Sequence, residues 1–392
     1  MVGNEHWFDP DLWTRITEPT AQGSALPNAA YTDSGFFKLE QNTLFKKTWV
    51  FAAFAHKLPN IGDLLPVEVA GQPILLTKSD ETTIKAFHNV CRHRGAMLVD
   101  EWKSRCRTIV CPNHSWSYSL SGKLLSRPHF FGGDRHDVNP DQCRESNLIE
   151  IRCETWNDWV FVNLDGNASN FSTHIDPLVN KLDGYDLSAL NFGTELEFDI
   201  HANWKLAIEN FIEPYHVFSC HPWLNSFVPM AERSPPIFEN HILSCGYEFK
   251  ETDPARGEGL PYFPNLPSEK KMRGDWYVLF PNFAFEIFPD QLATFVATPS
   301  GPDRCKESIG LYFIGDGANS DKYTTARNMV INNWHDLNNE DIGILERMQA
   351  GRLSDGFDGG VLSPYWDPVQ QHFARLIVES VASESSEVCG GH

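Results

Sequence analysis

The sequence predicts an α+β fold that contains a small all-β module, and two features of the chain support this prediction. Over residues 49–164, short segments such as GDLLPVEVAG, QPILLTK and TTIKAFHNV alternate or run apolar between turns, which is typical of strands. From residue 178 onward, helical and strand patterns follow one another. That mixture predicts a larger unit in which an antiparallel sheet is covered by helices.

The individual elements follow from local patterns along the chain. An apolar stripe predicts a helix over 34–47, and TELEFDIHANWKLAIENF is typical of a strand that feeds a helix. WYVLFPNFAFEIFPDQLATFVATP predicts two adjacent strands joined at Pro289-Asp290, and ESIGLYFIG predicts another. Two further helices are expected over 338–351 and 368–381, and the polar residues 382–392 are expected to form a disordered tail.

Composition excludes several classes of partner. The 392 residues carry a net charge of −20, which argues against binding to nucleic acid or to an anionic membrane. We see no apolar run of about 18 residues, the length needed for a membrane span, and no secretory leader. The nine cysteines are an odd number, which indicates reduced thiols or metal ligands and a cytoplasmic protein.

A first constellation has the residue types of a metal centre. Cys91 and His93 stand in one predicted loop, and Cys111 and His114 stand in another, each after a strand. Two thiolates and two imidazoles can bind one zinc ion or one [2Fe–2S] cluster. The single residue between Cys91 and His93 favours the cluster, in which the two side chains bind different irons. Zinc, and four buried residues without a metal, remain the alternatives at this point.

A second constellation is centred on Glu213, His216 and His221. Glu213 and His216 lie three apart on one helical face, whereas His221 can join them only if the helix distorts or ends, and Pro214 makes this plausible. Two histidines and one carboxylate leave positions open for O2 on an iron. Asp341 is the candidate carboxylate, because apolar residues follow it along one face of its helix. The alternatives are structural histidines and an ordinary carboxylate in a first helical turn.

The chain resembles the large α subunits of the Rieske non-haem iron oxygenases over about residues 26–377. The motifs are NVCRHRGAML, CPNHSWSYSLSGKL and WNDWVFVNLD, followed by Glu213-x-x-His216-x4-His221 and ED-x4-E-x2-Q-x-G around Asp341. Family members more often have Tyr and Gly where this chain has Asn113 and Ser115. The resemblance implies a Rieske [2Fe–2S] domain over 47–165, inserted into a helix-grip catalytic domain formed by 1–46 and 166–381, with 382–392 as the tail.

The resemblance also implies roles for the two constellations. The first would hold the [2Fe–2S] cluster, and His216, His221 and Asp341 would hold a mononuclear Fe(II). Glu213 would link a cluster histidine of one subunit to an iron-bound histidine of the next in a head-to-tail homotrimer. Glu at this bridge, where Asp is common, resembles the subgroup that acts on betaines and carnitine.

The sequence also offers candidate residues for a substrate pocket. Tyr215, Phe283, Phe285 and Glu286 are the candidate residues, because aromatic faces attract quaternary ammonium groups and a carboxylate adds charge pairing. An ordinary aromatic core is the alternative for this Phe-rich segment, and the same lining would equally suit an aromatic ring.

The expected function is that of the oxygenase component of a monooxygenase, which uses O2 to hydroxylate or N-dealkylate a small betaine-like or carnitine-like substrate. We find no convincing dinucleotide fingerprint, so NAD(P)H electrons are expected to arrive through a separate flavin or iron–sulfur reductase. The alternatives are a ring-hydroxylating oxygenase that acts on an aromatic acid, a non-catalytic Rieske electron carrier, and a zinc-stabilised binding protein.

Overall fold

The computed structural model describes residues 14–16, 18, 23–138, 144–251 and 253–382. The chain divides into two compact units. Phe45–Phe171 form the smaller unit, and the flanking segments Met1–Leu44 and Ser172–His392 form the larger one. The predicted tail lies outside the described residues except for its first position.

The smaller unit is built from two antiparallel sheets. The first sheet has the strand order β1-β10-β9-β4-β3-β2, and the second has the order β5-β6-β7-β8. The strands are β1 Val50–Phe54, β2 Leu64–Val69, β3 Gln72–Lys78, β4 Ile84–His88, β5 Ile109–Val110, β6 Ser117–Tyr118, β7 Leu124–Arg127, β8 Asp137–Val138, β9 Glu150–Trp156 and β10 Trp159–Asn163.

The larger unit contains one seven-stranded antiparallel sheet with the order β11-β17-β16-β15-β14-β13-β12. Strands β12 to β17 follow one another as a meander, and β11 forms the edge of the sheet beside β17. The strands are β11 Leu190–Ile200, β12 Ile237–Glu239, β13 Ile242–Glu248, β14 Arg273–Leu279, β15 Phe283–Ile287, β16 Gln291–Gly301 and β17 Arg304–Ile314.

Helices accompany this sheet along the rest of the larger unit. They are α1 Ala29–Thr32, α2 Ser34–Glu40, α3 Phe171–Lys181, α4 Trp204–Ile212, α5 Val217–Cys220, α6 Pro222–Phe227, α7 Thr324–Gly351 and α8 Pro368–Ala382. The helix predicted over 34–47 is shorter, because a π-helical turn, Gln41–Phe45, follows α2. Helix α7 begins 14 residues before the predicted start, in a polar stretch whose apolar periodicity is too weak to identify.

The aromatic segment that follows residue 275 folds differently from the prediction. Three strands, β14, β15 and β16, occupy the stretch for which two were expected. The additional reversal lies between Leu279 and Phe283, where Pro281 cannot donate a hydrogen bond to a sheet ladder. The α+β class, with antiparallel sheets and accompanying helices, is confirmed. No helix in the described ranges is long and apolar enough to cross a bilayer.

Helix α4 is fixed in the larger unit by a buried ion pair. The ammonium of Lys205 lies 2.8 Å from a carboxylate oxygen of Glu40, and both side chains are fully buried. One turn later, Glu209 accepts a hydrogen bond of 2.6 Å from the hydroxyl of Tyr31. The helix also packs against β14 and β16. These contacts hold α4 against the rest of the unit, and the second constellation begins directly after its last residue, Ile212.

Candidate metal centres and the pocket beside them

The two loops that carry the first constellation share one backbone pattern. The N–H of Cys91 donates to the carbonyl of Ala96, and the N–H of Cys111 donates to the carbonyl of Trp116, both over 2.8 Å. Each loop is therefore a short closed turn after a strand, with its cysteine at the base. The same loop conformation thus occurs twice in the smaller unit, and it places each Cys and His pair in the same backbone position.

The fourth residue after each cysteine needs a left-handed backbone. Gly95 has a φ of 73° and Ser115 has a φ of 55°, and each donates a 3.1 Å hydrogen bond to the carbonyl of its loop's cysteine. Glycine adopts this conformation without steric cost, whereas serine does not. Ser115 thus retains the loop conformation at a modest energetic cost.

The side chains of the first constellation differ in their exposure. The sulfur-bearing residues Cys91 and Cys111 are buried, whereas His93 and His114 are exposed, with ring centroids 4.7 Å apart. Trp116 stacks on His93 at 4.8 Å and supports the ring from one side. Burial raises the pKa of the Cys111 thiol. Two buried thiols and two exposed imidazoles are the set of donors that would hold a Rieske [2Fe–2S] cluster.

The second constellation forms where the helical path breaks. Helix α4 ends at Ile212, Glu213 is extended, and only the four residues of α5 separate His216 from His221. His221 has a non-helical backbone, and Pro222 begins α6 directly after it. The break brings the two imidazole rings to a centroid distance of 5.2 Å, as the prediction required.

His216, His221 and Asp341 bring possible ligand atoms within 4.8 Å of one another. One carboxylate oxygen of Asp341 lies 3.0 Å from Nε2 of His221 and 3.6 Å from Nε2 of His216. That oxygen is buried and makes no hydrogen bond of acceptable geometry with the described residues. The two Nε2 atoms thus converge on a carboxylate oxygen that has no hydrogen-bond partner of its own. This arrangement fits a two-histidine, one-carboxylate iron site.

A carboxylate backs each of the two histidines. Nδ1 of His216 lies 2.7 Å from Glu213, and Nδ1 of His221 lies 2.6 Å from Glu340. A carboxylate at Nδ1 holds the proton there and leaves Nε2 free to bind a metal. Burial lowers the pKa of His221, but the nearby carboxylates of Asp341 and Glu340 outweigh it and raise the pKa overall. Sequence spacing alone did not single out Glu340 for this contact.

All three candidate ligands line one pocket of about 800 Å³, a volume that includes its opening. Aromatic rings from the sheet and the helices form much of the wall: Phe211, Trp276, Phe295 and Trp334. Charged side chains other than the candidate ligands complete it: Glu213, Arg233, Arg256, Glu286 and Glu307.

Only one of the four predicted substrate residues lines this pocket. Glu286 does so, whereas Phe283 and Phe285 alternate with it on β15 and face the opposite side of the sheet. Tyr215 is 46% exposed and lies outside the lining. These three residues lie outside the lining of this pocket, and their role in substrate binding stays a prediction. The period-2 pattern of β15 identified the two faces but could not indicate which of them faces the pocket.

Glu286 is also not available as a lone anion. It forms a buried ion pair with Arg256, which lies in a loop that the sequence did not single out. Glu307 differs, because both of its carboxylate oxygens are buried without a hydrogen-bond partner among the described residues. Burial raises the pKa of Glu307 to about 8, so this side chain is mainly neutral at pH 7.

Two family models match the chain. Residues 187–383, half of the chain, match the ring hydroxylating alpha subunit (catalytic domain), and residues 48–131 match the Rieske [2Fe-2S] domain. The first match assigns to a catalytic domain the residues that a Rieske electron carrier would not need. The two matches confirm the predicted cofactors, a [2Fe–2S] cluster and a mononuclear iron.

Curated relatives with similar sequences are oxygenase subunits. The glycine betaine monooxygenase oxygenase subunit of Pseudomonas aeruginosa is 32% identical over 246 residues, 61% of this chain and 54% of that protein. The carnitine monooxygenase oxygenase subunit of Escherichia coli is 25% identical over 343 residues, 85% of this chain and 86% of that protein. The chain thus spans about half the length of the glycine betaine relatives that it matches.

Solved structures share the fold at low sequence identity. The quaternary ammonium Rieske monooxygenase CntA in complex with L-carnitine has a TM-score of 0.72 at 20% identity, over 93% of this chain and 97% of that chain. Naphthalene 1,2-dioxygenase from Rhodococcus sp. bound to indole has a TM-score of 0.73 at 20% identity, over 98% of this chain and all of that chain. The catalytic-domain model matches half of the chain, and the Rieske model matches the part before it. The chain therefore belongs to the ring-hydroxylating alpha-subunit family.

Proposed function

We propose that this protein is the oxygenase component of a Rieske monooxygenase, which hydroxylates or N-dealkylates a small quaternary-ammonium substrate. One observation carries the proposal: the candidate iron ligands and four aromatic rings line the same pocket. The names of the glycine betaine and carnitine relatives support the substrate class. Fold similarity does not select it, because the carnitine and indole complexes match this chain equally well.

The proposed division of labour follows the two constellations. We assign 47–165 to electron relay through Cys91, His93, Cys111 and His114, and 166–381 with 1–46 to dioxygen chemistry. His216, His221 and Asp341 would hold Fe(II), which when bound activates O2 with electrons that the cluster supplies. The carboxylates of Glu213 and Glu340 keep the two imidazoles in the tautomer that binds a metal through Nε2.

The pocket lining suits a quaternary ammonium group. Such a group cannot donate a hydrogen bond, so its recognition depends on ring faces and on charge. Trp276 and Phe295 come from neighbouring regions of the sheet, and Phe211 stacks on Phe295 with ring centroids 4.6 Å apart. A packed aromatic wall of this kind is shaped before a ligand enters, which lowers the cost of binding.

Electrons and subunits complete the proposal. A separate flavin or iron–sulfur reductase would supply NAD(P)H electrons, and Glu213 would link the two centres across subunits of a homotrimer. Two exposed surfaces support this arrangement. His93 and His114 are exposed in the smaller unit, and Tyr215 and nearby aromatic side chains are exposed beside Glu213 in the larger one. We also propose a cytoplasmic location, since the cysteines of the described residues are free thiols.

Iron analysis tests the reaction class. The purified protein should contain the two irons of a cluster and one further iron per chain, together with a Rieske-type absorption spectrum. Only two irons would indicate an electron carrier, and a colourless zinc protein would refute the assignment.

A matched pair of ligands tests the substrate class. Glycine betaine and 3,3-dimethylbutanoate have the same shape, but only the first carries a cationic group. We expect glycine betaine to bind about tenfold tighter, as cation–π contacts in a desolvated site predict. Equal binding of the two would refute the quaternary-ammonium class, and tight binding of benzoate alone would favour an aromatic-acid oxygenase.

A further inference from the structure

Two buried guanidinium groups line the pocket, and only one of them has an acidic partner among the residues with described positions. Arg256 pairs with Glu286 and also donates to the hydroxyl of Tyr247, 3.3 Å away. Arg233 instead donates to the backbone carbonyls of Val228 and Leu224, over 3.0 and 3.4 Å. No carboxylate in the described part of the chain forms an ion pair with Arg233. Arg233, Arg256 and Glu286 together thus carry one net positive charge.

An excess buried charge is costly unless a counter-ion compensates it. Arg233 is 6% exposed, and so is Arg256. In addition, Nε of Arg256 has no hydrogen-bond partner among the residues that the structure describes. Arginine presents its N–H groups in a fixed fork that matches a carboxylate. The pocket therefore has both the charge and free donor capacity for an anionic group.

The register of the sheet separates Glu286, the partner of Arg256, from Glu307, which lies near the candidate ligand Asp341. Cys245, Trp276 and Glu286 stand side by side on β13, β14 and β15, in a row that continues to Leu311 on β17. Glu307 lies on β17 four residues before Leu311 and interacts with Asp341. From strand spacing and rise, Glu307 is about 10 Å across the sheet and about 13 Å along it from Glu286.

We propose that Arg233 and Arg256 form an anion-binding end of the pocket, which holds the carboxylate of a zwitterionic substrate while its ammonium group faces the candidate iron site. This inference rests on the proposed function and narrows the substrate class to betaines that carry a carboxylate. It excludes choline, in which a hydroxyl replaces the carboxylate, as a good ligand. Glu286 holds Arg256 in place and moderates the positive charge.

Equilibrium binding to the iron-loaded, full-length protein tests the proposal with four ligands of similar shape. Glycine betaine has both charges, choline has only the cation, 3,3-dimethylbutanoate has only the anion, and 3,3-dimethylbutanol has neither. We expect each carboxylate ligand to bind about 10- to 100-fold tighter than its hydroxyl counterpart, as expected for hydrogen bonds to a charged group. Calorimetric titration provides this measurement without turnover.

Two substitutions should change carboxylate binding in opposite directions. Arg233→Gln removes the excess charge but retains a donor for the carbonyl contacts, and should weaken glycine betaine about tenfold without changing choline. Glu286→Gln removes the neutralising anion and should strengthen both carboxylate ligands. Lys250→Gln is the control, because it removes an 80% exposed cation that is paired with Glu232 outside the described pocket lining. Thermal unfolding confirms that each variant is folded.

The outcomes separate this inference from the proposed function. Choline that binds as tightly as glycine betaine, or an Arg233→Gln variant that weakens both equally, would overturn the anion-binding end. If Arg233→Gln does not fold, Glu286→Gln serves in its place, and carboxylate binding no tighter than in the unaltered protein would overturn the anion-binding end as well. Preference for both carboxylate ligands, with no preference for glycine betaine over 3,3-dimethylbutanoate, would support the anion-binding end and refute the quaternary-ammonium assignment.

Discussion

Removal of the Glu340 carboxylate should weaken iron binding without removing a ligand. Its oxygen lies 2.6 Å from Nδ1 of His221, and Glu340→Gln replaces a charged acceptor with a neutral one. Such partners typically contribute about 10- to 100-fold to metal affinity. The Glu340 side chain is 46% exposed, and solvent screens its charge, so we expect the lower end, about tenfold.

The measurement is a competition between the protein and a calibrated chelator for Fe(II), with cluster absorption recorded in the same sample. The mononuclear site should lose affinity while the cluster spectrum stays constant. Asp336→Asn is the matched control. It removes a carboxylate from the same helix that also lies near a histidine, His335, at 3.1 Å, but both side chains are largely exposed and outside the pocket lining.

Three results would refute the reasoning. An unchanged Fe(II) affinity in Glu340→Gln would mean that its contact with His221 does not orient a metal ligand. Loss of cluster absorption together with the mononuclear iron would mean that the substitution perturbs the whole protein and not one imidazole. An equal loss in Asp336→Asn would assign the effect to the charge of the helix.

Three further predictions concern residues of the larger unit. Asp341→Ala should abolish mononuclear iron in metal analysis and leave the cluster spectrum intact; loss of the cluster would refute the division of ligands. Lys205→Met should lower the free energy of unfolding by about 3–5 kcal/mol in denaturant titrations, because it strands the buried Glu40, whereas adding Glu40→Leu should restore much of the loss. Glu307 has its pKa raised from 4.5 to about 8, so its contribution to stability is full below pH 4.5 and is lost as the pH rises through 8. With the mononuclear iron chelated, thermal unfolding of Glu307→Gln should therefore depend less on pH over this window; an unchanged slope would contradict the burial argument.

Local sequence was sufficient for features that depend on nearest neighbours along the chain. The break between His216 and His221 was expected because residues five apart cannot share one face of a regular helix, and Pro214 stands between Glu213 and His216. The inward position of Asp341 was expected from the apolar residues that follow it on the same face of α7. Both features are set by helical geometry, which sequence spacing reports directly.

Features that depend on the pairing of distant segments were not accessible. Which face of β15 borders the pocket depends on the helices that cover the sheet. Residue alternation separates the two faces but does not show which one the helices cover. Arg256 ends a single 3-10 turn and Arg233 directly follows another, and such short turns have no periodic pattern that marks an inward side chain. Glu340 could have been considered, since a carboxylate next to a ligand is close enough to reach a second-layer contact.

The carboxylates around His216 and His221 explain why this site can be assembled before a metal binds. Each imidazole is held through Nδ1, by Glu213 or by Glu340, so the orientation of Nε2 does not depend on the ion. The cost is three carboxylates around two histidines, which repel one another unless a cation compensates them. A ferrous ion would supply that compensation, so the same arrangement that orients the imidazoles also attracts a divalent cation.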